Sequence, residues 1–582
     1  MRSFAFILLT VFGMESAISA PAGYLGAAQL FAEDSMRPGV FLAANRNKGR
    51  VRDENEFEEG DSSDEALDQD SGADEEESDS RSTRRRPRKK TKSREYGSSG
   101  DISRVQSLLK RGDTERASEE FYDLSRSPDL REQRERIKYL LGVALMDMGL
   151  NQVAAFQFVS IIKQGDNRFI NDSLAKLSIV AGRIGDNSLV DYAISRINDG
   201  GGSRSQKDLL HFRTGEFYLR KKNFDEAAKT FSRVAKSSPY YLQAKYKEGL
   251  SWASAGIELK ALQAFNKIIR GRADQSVTDT TLVTAKLAKA RVYYQKKDWE
   301  KAIEAYRDIP RDSIYWHETI FEQSWAFFMA AQFRSVLSNF HTLHSPYYEQ
   351  YFIPESLVLR AIVYLYICNY DEMNKVVQLF ERIYVPVLND LKGFYEENHT
   401  AFDYYEEFSE FLKVSAAGNR KYRGRIPEIV WRHLMKDGEL RQLYSYLLNL
   451  RKERVKWNSY SQSWKTSDIG EYSQRALQKR IEKVSQNVGE RVAKLVQSTE
   501  ESLEEYFEQS GYLQFEVVNS QKEKLKKKIS DKSSKSSKKK TIDEKKERDF
   551  FIQNGYEYWP FGGEYWLDEI GNYQYLGVQS CE

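Results

Sequence analysis

The sequence predicts an all-α protein, and three observations carry that prediction: an aromatic-rich, proline-poor composition, a recurring spacing of small and aromatic residues through its middle, and heptad-like apolar spacing near its C-terminal end. Of 582 residues, 35 are Tyr and 31 Phe but only 11 are Pro. Rings in that number suit the gaps between packed helices better than the proline-punctuated strands of a sandwich. With 40% apolar residues, 30% charged residues and a net charge of +3, the chain as a whole is neither a membrane bundle nor a basic nucleic-acid binder. Its two cysteines and six histidines are scattered, so they assemble neither a disulfide-framed mini-domain nor a structural zinc module.

The chain opens with Arg2, an apolar run from Phe4 to Phe12, then Gly13 and small residues ending Ala20-Pro21-Ala22. That order reads as a secretory signal peptide over residues 1–22, cut after Ala22 or, as the alternative, after Ala20. The apolar run is about half of the roughly 20 residues that span a bilayer, and no later run reaches that length, so no transmembrane anchor is expected. No cysteine near the cut could carry a lipid. Export to the periplasm is the expectation.

Residues 23–100 form an acidic-then-basic linker. Asp53 to Asp79 is acidic at nearly every second position, and the sign reverses from Arg81 to Arg94. Such a stretch lacks the apolar surface to offset its chain entropy and is expected to be disordered. Its basic block could hold a polyanion such as nucleic acid, anionic lipid or cell-wall phosphate, the alternative function to the one developed below.

Residues 101–390 repeat themselves. Gly215, Tyr218, Phe224, Ala227, Phe231 and Pro239 stand at the spacing of a helix-turn-helix repeat of about 34 residues, and Gly249, Trp252, Gly256, Ala261, Phe265 and Ile268 follow in the same scheme. An earlier copy carries Leu141, Gly142, Leu145, Gly149, Ala154 and Phe158, with room for a degenerate copy around Gly182 to Ile197. Later copies use Ala290, Tyr293, Trp299, Ala302 and Tyr306, then Ser324, Phe327, Phe333 and Phe340, and lastly Ala361, Tyr364, Tyr370, Met373 and Phe380. The small residues let the two helices of a pair approach, and the rings fill the grooves between them. About six or seven pairs result, with Ile102 to Leu124 as a front cap.

The stretch from Gly215 to Pro239 resembles the tetratricopeptide repeat family, apart from Lys138, His211 and Lys245 at the position where that pattern has tryptophan. The resemblance covers roughly half the chain. It implies a right-handed α-solenoid that binds protein partners on its concave face, without catalysis. By that register the second and fifth positions of the first helices, Leu209, Phe212, Gln243 and Tyr246, are expected to line the concave face.

Residues 391–528 continue as a helical extension. Leu477, Ile481, Val484, Val488, Val492, Leu495, Leu503 and Tyr506 recur at intervals of three and four, the mark of a long helix in coiled-coil-like pairing, within the chain or between chains. A Lys/Ser-rich linker, 529–548, leads to an aromatic tail, 549–582, expected either as a small hairpin turning at Gly562-Gly563 or as a latch on the solenoid. This tail and the turn from Cys368 to Glu372 resemble periplasmic tetratricopeptide components of the deltaproteobacterial adventurous gliding-motility machinery. That resemblance implies a scaffold holding other protein subunits in a cell-envelope complex.

No phosphate loop, HExxH or nucleophile elbow occurs, so no active site and no cofactor is assigned. His341 and His344 lack a third ligand nearby, and no metal site is assigned to them. In an exported chain the only two cysteines, Cys368 and Cys581, are a candidate disulfide that would clasp the tail onto the last repeat. A buried free Cys368, or a Cys581 bonded to another chain, are the alternatives.

Overall fold

The computed structural model describes residues 99–577 apart from 165–167, 196–203, 272–279, 350, 397–398, 418–421 and 531–563. The expected signal peptide, both linkers for nearly all their length, Gly562-Gly563 and Cys581 lie outside the described residues. Within them every regular element is a helix. None of these helices is long and apolar enough to cross a membrane.

Sixteen helices form eight antiparallel pairs, each with a first helix A and a second helix B. They are α1 (Ser99–Lys110) with α2 (Thr114–Arg126), α3 (Arg134–Met148) with α4 (Asn151–Lys163), α5 (Ile170–Ile184) with α6 (Ser188–Ser195), and α7 (Arg204–Arg220) with α8 (Phe224–Ser232). Then come α9 (Tyr241–Ser254) with α10 (Glu258–Gly271), α11 (Thr280–Gln295) with α12 (Trp299–Arg307), α13 (Trp316–Met329) with α14 (Phe333–Leu343), and α15 (Pro354–Tyr366) with α16 (Tyr370–Glu396). The stretch expected as a front cap is itself a pair, which brings the described count to eight.

A single device closes all eight A–B turns. One residue in each takes a left-handed backbone: Gly112, Gly149, Gly185, Lys222, Gly256, Lys297, Ala331 and Cys368, with φ between 55° and 86°. In most of them the next residue's N–H reaches back to a carbonyl five residues earlier, as in Leu150 to Leu145, Asn223 to Tyr218 and Asn369 to Tyr364, each at 2.9 Å. This satisfies carbonyls that the ending helix would otherwise leave orphaned. At the start of the following helix, Asn223 and Asp298 accept the N–H of Glu226 and Lys301.

Within a pair, the contact is a ring on a glycine. Phe158, Phe231 and Phe265 lie against Gly142, Gly215 and Gly249, so closely that a Cβ on any of the three would come within 2.6–2.8 Å of the ring. All three phenylalanines are fully buried. This is the small-residue and aromatic spacing of the sequence, turned into packing.

Beyond the pairs come α17 (Ala401–Ala417), α18 (Glu428–Leu434), α19 (Gly438–Asn458), the short α20 (Gln462–Lys465) and α21 (Asp468–Ser530). At 63 residues α21 is about 95 Å long. Of its heptad-like stripe, Leu477, Val484, Val488, Val492 and Leu503 are buried against helices of the same chain, Ile481, Leu495 and Tyr506 are half-buried there, and Val496 is buried beside Leu495. The extension returns to the start of the solenoid. There Trp464, 1% exposed, donates from its indole to Ser118 Oγ at 2.9 Å, and Arg480 donates to Asp186 at 2.8 Å. Gln442 and Asn449 donate to the terminal carbonyls of α5, at Gly185, Arg183 and Ile184. The same helices grip the other end, through Lys436–Glu318 at 2.6 Å, Tyr506 OH to Glu355 at 3.4 Å, and Phe507 against Phe380.

One continuous apolar core therefore joins the first three pairs, the last three pairs and the return helices. Pairs α7/α8 and α9/α10 hold clusters of their own, the second shared with α11. They form an arch between two tied ends.

Candidate functional site: the A-helix row of the arch

Within the arch and just beyond it, neighbouring A helices are cross-linked by buried ion pairs. Lys247 on α9 meets Glu216 on α7 at 2.6 Å, and Arg213 reaches the other oxygen of Glu216 at 2.8 Å. Burial alone would push the Glu216 carboxyl up, but Lys247, Arg213 and Arg220 outweigh it and bring it down to about 2. Two pairs on, Arg291 of α11 clamps Glu322 of α13 with two bonds, at 3.0 and 2.7 Å, and Tyr306 OH donates to the same carboxylate at 3.0 Å. Bidentate geometry and full pairing make such buried charges tolerable. Sequence reasoning did not single out these residues. The available signal was opposite charges recurring 31 residues apart, Glu216 with Lys247 and Arg291 with Glu322.

The four residues expected on the concave face part company. Phe212, 4% exposed, stacks on Tyr240 and meets Phe231 edge-on; Tyr246, 6% exposed, packs on Phe265. Both rings hold their own helix pair together and offer a ligand little surface. Leu209 lines an open cleft between α5, α6 and α7, together with Leu174, Ser178, Leu210 and Arg213. Gln243 is exposed on α9. Lys245, at a position where the repeat pattern has tryptophan, is buried and paired with Glu248.

The two histidines are engaged elsewhere. Arg360 donates to His344 Nδ1 at 3.1 Å, which leaves Nε2 to donate to Ser356 Oγ at 2.9 Å. Burial, then the Arg360 charge, holds His344 well below the usual imidazole range. His341 packs on Tyr565 and Tyr573 of the tail. Among the described residues no cluster of His, Cys, Asp and Glu could hold a metal. The basic block at Arg84 to Arg94 lies outside them.

The C-terminal tail, residues 564–577, lies across α13 to α15 without regular structure of its own. Gly571 N–H donates to Thr342 Oγ1 at 3.0 Å and Tyr575 N–H to Ser338 Oγ at 2.9 Å. Ile570 is buried, and Gly571, at φ 87°, sits on the Trp316 ring where a Cβ would fall 2.8 Å from it. Cys368 is disulfide-bonded.

Residues 212–276 match the model of the tetratricopeptide repeat. The match falls on the arch, from α7 through α10, and tetratricopeptide-type pairs account for the ring-on-glycine contacts found there. No curated protein matches the chain. Among solved structures, the chain is similar to a tetratricopeptide repeat protein from Parabacteroides merdae, with 14% identity over 49% of this chain and 91% of that one and a TM-score of 0.22. It is similar to yeast Tom70, with 10% identity over 74% of this chain and 98% of that one and a TM-score of 0.23. The tetratricopeptide domain of P58(IPK) is similar at 10% identity over 66% of this chain and 98% of that one, with a TM-score of 0.17. At such scores the fold rests on the helix pairs themselves and on the matched repeats.

Proposed function

We propose that this protein is an exported, periplasmic scaffold that holds protein subunits of a cell-envelope complex, with gliding-motility machinery the assembly its tail and last repeats suit. Tetratricopeptide-type pairs support binding of protein partners, and the opening residues 1–22 support export. One observation carries the choice of surface: the extension packs on both ends of the solenoid, whereas α7 to α10 keep apolar cores apart from it. The partner site is then the A-helix row of the arch around Gln243 and Leu209.

Crosslinking in the intact envelope, followed by capture of the protein, tests this directly. Gln243→Trp, an exposed change that leaves the buried ladder alone, should reduce the crosslinked partner while the melting curve stays within a degree. Undiminished crosslinking would move the site off the arch. Binding should also survive physiological salt, because a grip through the basic linker would lose orders of magnitude over that range.

A further inference from the structure

We propose that the C-terminal tail is a redox-locked clasp: residues 564–577 occupy a docking face on α13 to α15, and a disulfide between Cys368 and Cys581 keeps them there. Three observations converge. The face is built to hold an extended segment. Ser338 and Thr342 stand one helical turn apart on α14 and accept the backbone N–H groups of Tyr575 and Gly571. Arg311 donates to Asn572 Oδ1 at 2.6 Å and Arg334 to the Gly577 carbonyl at 3.3 Å, so both sides of the segment are read.

The apolar grip is thin, however. Ile570 is the one buried apolar side chain among the described tail residues, and Trp566 and Leu567 are 62% and 70% exposed. A short segment held by a few hydrogen bonds and a single buried anchor binds weakly unless its effective concentration is raised by a tether.

The path of the chain leads to that tether. Tyr575 packs on Tyr364, whose carbonyl accepts the N–H of Asn369, the neighbour of Cys368. Cys368 is disulfide-bonded, and the chain has one other cysteine, Cys581, six residues beyond Tyr575. Six residues reach about 20 Å, ample from Tyr364 to Cys368 one helical turn further on. Export would let the bond persist, but the docking contacts do not depend on that reading.

Opening the clasp needs a dithiol. Its first thiolate attacks one sulfur of the bond, its second closes on the mixed disulfide, and the two cysteines leave as thiols with the two electrons and two protons the dithiol gave up. The tail is then tethered only through residues 531–563, and Ser338, Thr342, Trp316 and His341 are uncovered as it leaves.

The purified full chain, oxidised with glutathione disulfide and compared before and after dithiothreitol, tests this away from any question of location. A monomer with a Cys368–Cys581 linked peptide is expected. Amides of Gly571 and Tyr575 should exchange at least ten-fold faster after reduction and in Cys581→Ser, with exchange inside α14 unchanged. Thr342→Ala should speed the Gly571 amide further in the reduced chain. Two persistent free thiols, a bond only between two chains, or tail exchange indifferent to reduction would each overturn the clasp.

Discussion

Gly249→Ala places a methyl group where the Phe265 ring already lies. A Cβ there would stand 2.6, 2.7 and 2.9 Å from three ring carbons, and Phe265 is fully buried, so the ring cannot swing into solvent. Two effects oppose each other. Inside a helix, alanine is favoured over glycine by about 1 kcal/mol. Overlap in a packed core costs about 1–3 kcal/mol, because it drives the ring off its rotamer or spreads the helices. Overlap should win, for a net loss of roughly 1 kcal/mol in pair α9/α10. The same substitution at Gly511 is the internal control: that glycine is exposed on α21 with nothing within 4 Å of its added Cβ, so Gly511→Ala should gain about 1 kcal/mol. One chemical change thus moves stability in opposite directions at two helical sites. Amide exchange within α9 and α10 is the direct assay, since a chain of this size does not melt in one step. Gly249→Ala with Phe265→Leu should recover part of the loss. If Gly249→Ala stabilises as Gly511→Ala does, the ring does not rest on that glycine and the pairing is wrong.

Three further changes probe other parts. Glu453 reaches across from α19 to accept the N–H of Gln152 at the start of α4, and burial pushes its carboxyl up to about 7. A raised value means stability that is complete below about 4.5 and lost as pH rises through about 7, on the order of 3 kcal/mol. Glu453→Gln should flatten that pH dependence in thermal melts and melt higher than the parent at pH 8; parallel profiles would clear Glu453 of the role. Glu322→Ala strands Arg291 in the core and should cost about 3–5 kcal/mol, with exchange rising first in α11 and α13. Ala331, left-handed at φ 55°, is strained where glycine is not, so Ala331→Gly should leave stability unchanged or raise it by up to about 1 kcal/mol, read from chemical denaturation.

The legible part of this fold was local. Gly215 with Phe231 and Gly249 with Phe265 announce a helix pair because the two residues must touch within one repeat. The first pair, α1 with α2, carries no such glycine-ring couple, and its sequence reads as a cap rather than as a repeat. The repeat register that puts Phe212 and Tyr246 on the concave side gives their position on the helix without saying which neighbour covers them. In the structure the rings of their own B helices do. The stripe on α21 is legible as a helix that packs, yet its neighbours, from Tyr122 through Phe380, lie far off in sequence and leave no spacing to read. The ion pairs between A helices fall between these cases. Their 31-residue period was present, but charges on a helix read first as a solvated face, and only packing shows that Glu216 and Glu322 are buried.

The return of the extension changes how such a molecule comes apart. A stack of repeats behaves as a one-dimensional array in which each unit answers only to its neighbours, so it can fray from either terminus. Here Gln152 and Glu453, 301 positions apart, meet in one core, and the extension holds the first pair through α2 and the last through α16. Unzipping is replaced by an all-or-none event at the joined ends, slow to form because it closes a very long loop. Between them α7 to α10 can open as a unit without breaking that closure, a sub-global fluctuation confined to the stretch that the proposed partners would hold.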